Sequence, residues 1–368
     1  MRGAVAWAHG GKPGEPVELV DGLAVDDPGP GEVLVAMRAA GICHSDLSGI
    51  DGTIRQRFPF VPGHEGAGDV VAVGPGVCGV KEGDEVIVAW TPPCGRCNAC
   101  LRGQPNLCVD IFFPMQATPR FSRAGERIFG FAGAGTWAES LVLPEQAVVV
   151  VPGDVPYDVA ALVGCGVTTG VGAAVNTARV AVGSSVVVLG CGGVGISAIQ
   201  GARLCGAAEI VAVDPVESKR AGVARFGATY AVHPDDLAAA VTEVTGGEGF
   251  DYAFECVGSA ATARAAWDAT RRGGTTVVVG ASRADSTLSL DGFELFFSSK
   301  SLLGSYYGGA DVRTEFHRLL RLWRAGRLDL EAMVSARIDL SEVNEGIEAL
   351  KRGEVIRQVV TFSGAGAG

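Results

Sequence analysis

Residues 185–214 read SVVVLGCGGVGISAIQGARLCGAAEIVAVD. The run opens on Val186-Val187-Val188-Leu189, an apolar, β-branched burst of the kind buried on both faces of a parallel sheet. Gly190, Gly192 and Gly195 follow in G-x-G-x-x-G spacing, then Ile196 to Leu204 with helical periodicity, then a second burst, Ile210 to Val213, that ends in Asp214. In this strand–turn–helix–strand–acid order each glycine acquires a purpose. Gly190 permits the tight turn, Gly192 lets backbone approach a pyrophosphate, and Gly195 allows close helix–strand packing. The helix N-terminus adds free N–H groups and the positive end of its dipole. Asp214, 24 residues past Gly190, is placed to accept hydrogen bonds from an adenosine ribose diol and to repel a 2′-phosphate, with no Arg directly after it. The stretch predicts a dinucleotide site for NAD rather than NADP. A glycine turn without a ligand is the plain alternative, and the flanking strands and the acid in register argue against it.

Outward from this stretch, apolar bursts at Tyr252–Glu255 and Thr276–Val279 alternate with helical runs, the signature of a doubly wound parallel sheet. Upstream, Val33–Met37, Asp69–Val73 and Glu85–Ala89 are short strand-like segments punctuated by turns such as Asp27-Pro28-Gly29-Pro30-Gly31. Val109 to about Gly135 reads as irregular, and Thr136–Val151 returns to strand character. Ala160–Ala178 is a small-residue helix beginning near Cys165; Val312–Ala325 and Leu340–Lys351 are amphipathic helices, and Val355–Phe362 is a last strand. The terminal GAGAG has no side chains to pack and is expected to fray.

At 368 residues the chain exceeds one typical core, so two domains are expected. A net charge of −11 with scattered basic residues argues against a nucleic-acid partner. The N-terminal MRGAVAWAHGGKPG does not read as a secretory signal, and no apolar run reads as long enough to cross a bilayer. The expected compartment is the cytoplasm, where the 10 Cys serve as thiols or metal ligands rather than as a disulfide framework.

Cys94, Cys97, Cys100 and Cys108 have C-x2-C-x2-C-x7-C spacing, which brings three thiolates around one point and delivers the fourth from the following loop. That suits a closed, structural tetrahedral zinc; an iron–sulfur cluster is the competitor, since short spacings serve clusters too. Cys43, His64 and Cys165 each lie beside a turn or helix start. Together they would make the three-ligand set of an open catalytic zinc, although their spacing does not group them and each alone reads as a small buried residue or a turn histidine.

Gly41-Ile42-Cys43-His44-Ser45-Asp46, Pro62-Gly63-His64-Glu65-Gly66, the Cys94–Cys108 loop, Gly164-Cys165-Gly166-Val167-Thr168-Thr169-Gly170, the glycine motif and Gly353-Glu354-Val355-Ile356-Arg357 stand in one order along the chain. In these motifs, over almost its whole length, the chain resembles the zinc-dependent medium-chain alcohol dehydrogenases. The resemblance implies a β-rich, barrel-like (GroES-like) catalytic domain, 1–166 and 307–368, with a Rossmann domain, 167–306, inserted in it. It implies Cys43, His64 and Cys165 as catalytic zinc ligands and Cys94, Cys97, Cys100 and Cys108 as structural ones, two zincs per chain. Asp46 is implied to orient His64, Glu65 to lie near the metal, and Ser45 to take the alcohol proton toward the nicotinamide ribose, while hydride passes to NAD. Gly190, Gly192, Gly193 and Gly195, with Asp214 and Lys219, are implied to hold NAD, Thr169 and Val194 its nicotinamide end, and His44 and Arg357 its pyrophosphate. Trp90, Ser48, Phe131 and Ala132 fall where the family lines its substrate channel.

Two positions depart from common members. Ser48 stands where many carry a relay histidine, and a hydroxyl is no base near neutral pH. His44 stands where many carry Arg, so NAD affinity is expected to fall as pH rises through the histidine titration. The expected function is NAD-dependent oxidation of primary alcohols, bulky, allylic or aromatic, with the reverse reduction of their aldehydes. A dehydrogenase of a formaldehyde–thiol adduct is the nearest alternative, followed by a reductase of an activated C=C or C=N bond and, from another class, a non-catalytic NAD- and zinc-binding protein. The long segment between Cys108 and Trp137 favours a homodimer. Cys78, Cys191, Cys205 and Cys256 have no assigned role, with packing expected for Cys191 inside the glycine turn.

Overall fold

The computed structural model describes residues 1–7 and 16–362; the terminal GAGAG lies outside them. The described residues form two principal sheets. The first, seven-stranded, contains β1 (Glu32–Ile42), β2 (Gly66–Val73), β3 (Glu85–Val88), β4 (Ser140–Pro144) and β5 (Val148–Val150). β1 is its hub. It pairs with β2 along one edge, while β4 takes the other edge from Glu32 to Ala36. With neighbours on both edges and elements on both faces, β1 reads as a mostly buried EVLVAMRAAGI rather than a clean polar alternation.

A helix, α1 (His44–Ile50), leaves the end of β1, and a long helix, α2 (Tyr157–Ala178), crosses toward the second sheet. α2 corrects the expectation that nothing in the chain is long and apolar enough to span a bilayer: by length and hydropathy it is, and 89% of its most apolar window is buried inside the protein. It is a core helix, packed among both sheets. Its interior is not regular α-helix, for Val163–Val167 and Ala173–Ala178 adopt π-helical turns.

The second sheet is parallel and six-stranded, from β6 (Ser185–Leu189), β7 (Glu209–Val213), β8 (Tyr230–Val232), β9 (Phe250–Glu255), β10 (Thr270–Val278) and β11 (Ser301–Gly304), in the order β8-β7-β6-β9-β10-β11. The order reverses between β6 and β9, the topological switch point where such sheets bind ligands at their carboxyl ends. Leu189 pairs with Val213 on one side and Glu255 on the other, so Gly190, Asp214 and Cys256 begin the same rim. After β11 the chain returns to the first sheet as β12 (Val334–Ile338) and β13 (Arg357–Thr361), and β13 pairs antiparallel with β1 from Ala39 to Ile42. The last strand thus lies beside the residues that precede Cys43.

The segment expected to be irregular holds a short helix, Phe112–Ala117, and a hairpin of Phe121–Arg123 with Glu126–Gly130. Its turn, Ala124-Gly125, takes positive φ at both residues, the geometry that matches strand twist. The strands are too short for alternation to announce them. β8 and β11, three and four residues long, escape for the same reason.

Candidate functional site

Asp46 organises the first site. It sits in the first turn of α1, fully buried, with Cys43 as the N-cap. Its Oδ2 accepts from the Cys43 N–H at 2.9 Å, while its Oδ1 accepts from the Gly63 N–H at 3.1 Å and meets His64 Nδ1 at 2.7 Å. One carboxylate therefore fixes the start of α1, the Pro62–Gly66 turn and the histidine ring. With Nδ1 engaged, His64 has Nε2 for a metal, and a carboxylate on the far nitrogen raises the ligand's basicity.

The third residue arrives from α2, whose first π-turn carries Cys165. A π-turn widens the helix by one residue and is frequent at functional sites. Donor atoms of Cys43, His64, Glu65 and Cys165 all lie within 4.8 Å of one another, and all four residues are buried. The Cys165 thiol hydrogen-bonds the Cys43 sulfur and so pulls the Cys43 pKa well below the thiol range, while Cys165 is pushed well above it. Burial works to lower His64, but the charge and hydrogen bond of Asp46, with Cys43, hold it up at about 10. A site that concentrates negative charge on buried sulfur and steadies it with a protonated imidazole is one from which a dication displaces a proton. The donor set, two sulfurs and one nitrogen, fits zinc with an open position.

Glu65 belongs to this cluster and to something larger. Its Oε1 accepts from the Gly166 N–H at 3.2 Å, beside Cys165, and its Oε2 pairs with the Arg357 guanidinium. Arg357, expected at a pyrophosphate, is buried on β13 with its stem against Gly193 of the glycine turn. A single side chain joins the metal cluster to the nucleotide turn.

The four loop cysteines also converge. Cys94 and Cys100 sulfurs are 4.0 Å apart, and backbone N–H groups point at sulfur from Cys94 to Cys108 (3.2 Å), Cys97 to Cys94 (3.2 Å) and Cys100 to Cys97 (3.5 Å). The N–H bonds from Arg96 and Cys97, with the Cys108 and Cys97 thiols, bring the Cys94 thiol down to about 7 against the cost of burial. Four sulfurs around one point leave no place for a substrate, which suits a structural zinc.

At the rim of the second sheet, Gly190 has φ +95°, and a Cβ on Gly195 would lie 1.7 Å from the Gly190 carbonyl oxygen. α3 (Gly193–Leu204) starts from Gly192 with no side-chain cap, and a Cβ on Gly192 would meet nothing within 4 Å. The first N–H groups of α3 thus face an open cradle of the kind that accepts a pyrophosphate. Asp214 accepts from the Cys191 N–H at 2.8 Å and the Val216 N–H at 2.9 Å, so it also clamps the turn; its free lone pairs remain for a ribose diol. His44 is lowered from its ordinary pKa, chiefly by loss of hydration, with the Cys43 thiolate opposing and Lys219 and Arg357 adding repulsion. Three basic side chains from distant segments gather here, and the window in which His44 loses its charge moves to the acid side. Thr169 lies one turn past Cys165, and the next residue, Gly170, packs on the Val194 carbonyl of α3.

Among the channel residues, Phe131 and Trp90 stand edge-on to the His64 ring at 5.5 and 6.0 Å. Ala132 takes φ +51°, a strained value for a non-glycine residue, beside Phe131. Ser45 and Ser48 are half-buried along α1. Sequence reasoning missed Tyr306 and Tyr307, whose rings lie 5.3 and 4.6 Å from Trp90. No motif marked them, because only the return of the chain after β11 brings them to the metal cluster. Cys191 is buried in the turn, as packing predicts.

Two family models match: "Alcohol dehydrogenase GroES-like domain" over residues 29–153 and "Zinc-binding dehydrogenase" over residues 193–324. The chain is 38% identical to an S-(hydroxymethyl)glutathione dehydrogenase of Paracoccus denitrificans, over 95% of this chain and 97% of that one. It is 40% identical to an NDMA-dependent alcohol dehydrogenase of Amycolatopsis methanolica, over 95% and 96%. The crystal structure of benzyl alcohol dehydrogenase from Acinetobacter calcoaceticus superposes with a TM-score of 0.89 at 31% identity, covering 98% of this chain and 99% of that one.

Proposed function

The chain belongs to the zinc-dependent medium-chain alcohol dehydrogenase family, and from that premise we propose that it interconverts primary aromatic or otherwise bulky alcohols and their aldehydes with NAD. The observation that carries the substrate class is the pair of rings, Phe131 and Trp90, set edge-on to His64 in the metal cluster. When bound, zinc at Cys43, His64 and Cys165 supplies a Lewis acid for the carbinol or carbonyl oxygen, and NAD the hydride acceptor. Asp46 keeps Cys43 and His64 in one geometry, and Glu65 with Arg357 sets the charge behind them. Ser45, two residues past Cys43, holds the alcohol proton and passes it toward the ribose. The aromatic walls exclude water and bind a ring, each favourable aromatic contact contributing about 0.5–1.5 kcal/mol. The nucleotide is held by Gly190, Gly192, Gly193, Gly195, Asp214 and Lys219 of the Rossmann domain, 167–306, which is inserted in the catalytic domain, 1–166 and 307–368. NAD is preferred because Asp214 would face a 2′-phosphate.

The test is nicotinamide reduction by zinc-loaded protein across short aliphatic, long aliphatic, allylic and benzylic alcohols, with NAD and NADP compared. We expect benzylic alcohols to exceed ethanol in kcat/KM by at least about tenfold, with NAD. Silence across the panel at two zincs per chain removes the reading. A second reading, oxidation of a formaldehyde–thiol adduct, is supported by the Paracoccus denitrificans relative. It requires formaldehyde turnover that depends on added thiol.

We also propose a homodimer through the edge strand β11. Its outer edge is unpaired among the described residues, and α4 (Gly292–Ser298) beside it exposes Phe293 (71%) and Phe296 (78%). An open edge next to an apolar patch is a surface that a second copy covers by symmetry. Light scattering should give about twice the 37.7 kDa of one chain, and a monomer at micromolar concentration removes the proposal.

A further inference from the structure

The crossing that follows β11 brings two adjacent tyrosines to Trp90, beside the metal cluster, in different ways. Tyr307 is fully buried, and its hydroxyl donates to the Gly164 carbonyl beside Cys165. Tyr306 is 41% exposed. Its ring stands edge-on to Trp90 at 5.3 Å, and Trp90 stands edge-on to His64 at 6.0 Å, so the three rings run from the metal cluster outward.

In this otherwise aromatic wall the Tyr306 hydroxyl faces the Thr91 hydroxyl at 3.3 Å, and among the described residues this is the hydrogen bond of both groups. Hydroxyl pairs ordinarily close to about 2.7–2.8 Å. Two hydroxyls carry two protons and four lone pairs, so one long shared contact leaves both donor and acceptor capacity free. Thr91 is 2% exposed, and the neighbouring Trp90 Nε1 is buried with no partner among the described residues. Buried groups in that condition are costly unless a visitor completes them. The arrangement is held in place from outside. Asn106, in the cysteine loop, donates from Nδ2 to the Tyr306 carbonyl at 2.9 Å, and Phe112, just past Cys108, packs on Trp90 at 6.1 Å.

We infer that Tyr306, paired with Thr91, is a specificity-determining residue at the outer end of the substrate cleft, selecting aromatic alcohols that carry a hydrogen-bonding substituent on the ring edge remote from the carbinol. The inference rests on the aromatic-alcohol reading and deepens it. A phenolic hydroxyl or an ether oxygen has the matching chemistry; a methyl group of similar size does not. Asn106 is then a positioning residue, acting through the Tyr306 backbone.

The test compares 4-hydroxybenzyl with 4-methylbenzyl alcohol on the zinc-loaded enzyme, by kcat/KM and by calorimetric titration of each alcohol onto the NAD-loaded protein. Wild type should prefer the hydroxy compound by roughly three- to tenfold, the scale of one neutral hydrogen bond, expressed in KM and Kd rather than kcat. Tyr306→Phe and, separately, Thr91→Val should bring the ratio to about one, while Tyr230→Phe on the far edge of the second sheet keeps it. Equal ratios in wild type and Tyr306→Phe, with both alcohols turned over, overturn the inference and leave the aromatic-alcohol reading standing. No turnover of any benzylic alcohol by wild type overturns that reading and this inference with it.

Discussion

Cys165→Ser is expected to lower turnover by at least about 10³-fold, since losing one preorganised electrostatic stabiliser costs 10²–10³ and this substitution loses the Lewis acid itself. The fold should survive. Cys165 sits in a π-turn of α2 whose other residues remain packed in the core, and Ser is smaller than Cys. What changes is the donor set: a neutral hydroxyl replaces the thiol that hydrogen-bonds Cys43 and completes the group with His64 and Glu65. Metal analysis should fall from two zincs per chain to one, because the Cys94–Cys108 loop is a separate group. Far-UV circular dichroism and NAD titration should match wild type. Two zincs retained with turnover within tenfold of wild type would take Cys165 out of the ligand set.

Gly195→Ala and Gly192→Ala should part company, although both lie in the same turn. A methyl on Gly195 would sit 1.7 Å from the Gly190 carbonyl oxygen, a backbone atom held by a residue at φ +95°. Something must shift, at a cost of about 1–3 kcal/mol in stability, together with at least a tenfold loss in dinucleotide affinity as the turn opens. A methyl on Gly192 meets nothing within 4 Å in the free chain. Its stability should therefore stay within about 0.5 kcal/mol of wild type. Dinucleotide affinity should nevertheless drop by more than about tenfold, because the methyl occupies the space where the pyrophosphate approaches backbone. Denaturant melts and NAD titrations on the two variants read the two quantities separately. Equal affinity loss with equal destabilisation would mean that Gly192 is structural and that the cradle lies elsewhere.

The nucleotide turn was legible because its information is local. Strand, glycines, helix and acid occupy thirty consecutive residues, and each residue type answers a demand made by its immediate neighbours. The four loop cysteines were legible for the same reason, fifteen residues holding a complete donor set. Cys43, His64 and Cys165 were grouped only by resemblance to a family. Their convergence depends on Asp46 bonding two of them and on α2 returning across the first sheet to bring the third.

By itself, then, the sequence determined the parallel sheet, its cradle and the sulfur knot, all of which rest on backbone geometry and ligand spacing within a few turns of chain. Only the tertiary structure decided what surrounds the chemistry. It turned Arg357 inward, because β13 pairs with β1 and so brings its guanidinium to Glu65. It also carried Tyr306 to Trp90 and Thr91, on a crossing whose direction is set by β11 and by the Asn106 hydrogen bond. Such contacts join residues far apart in the chain. They are selected by packing among whole elements, and periodicity, which counts only near neighbours, carries no record of them.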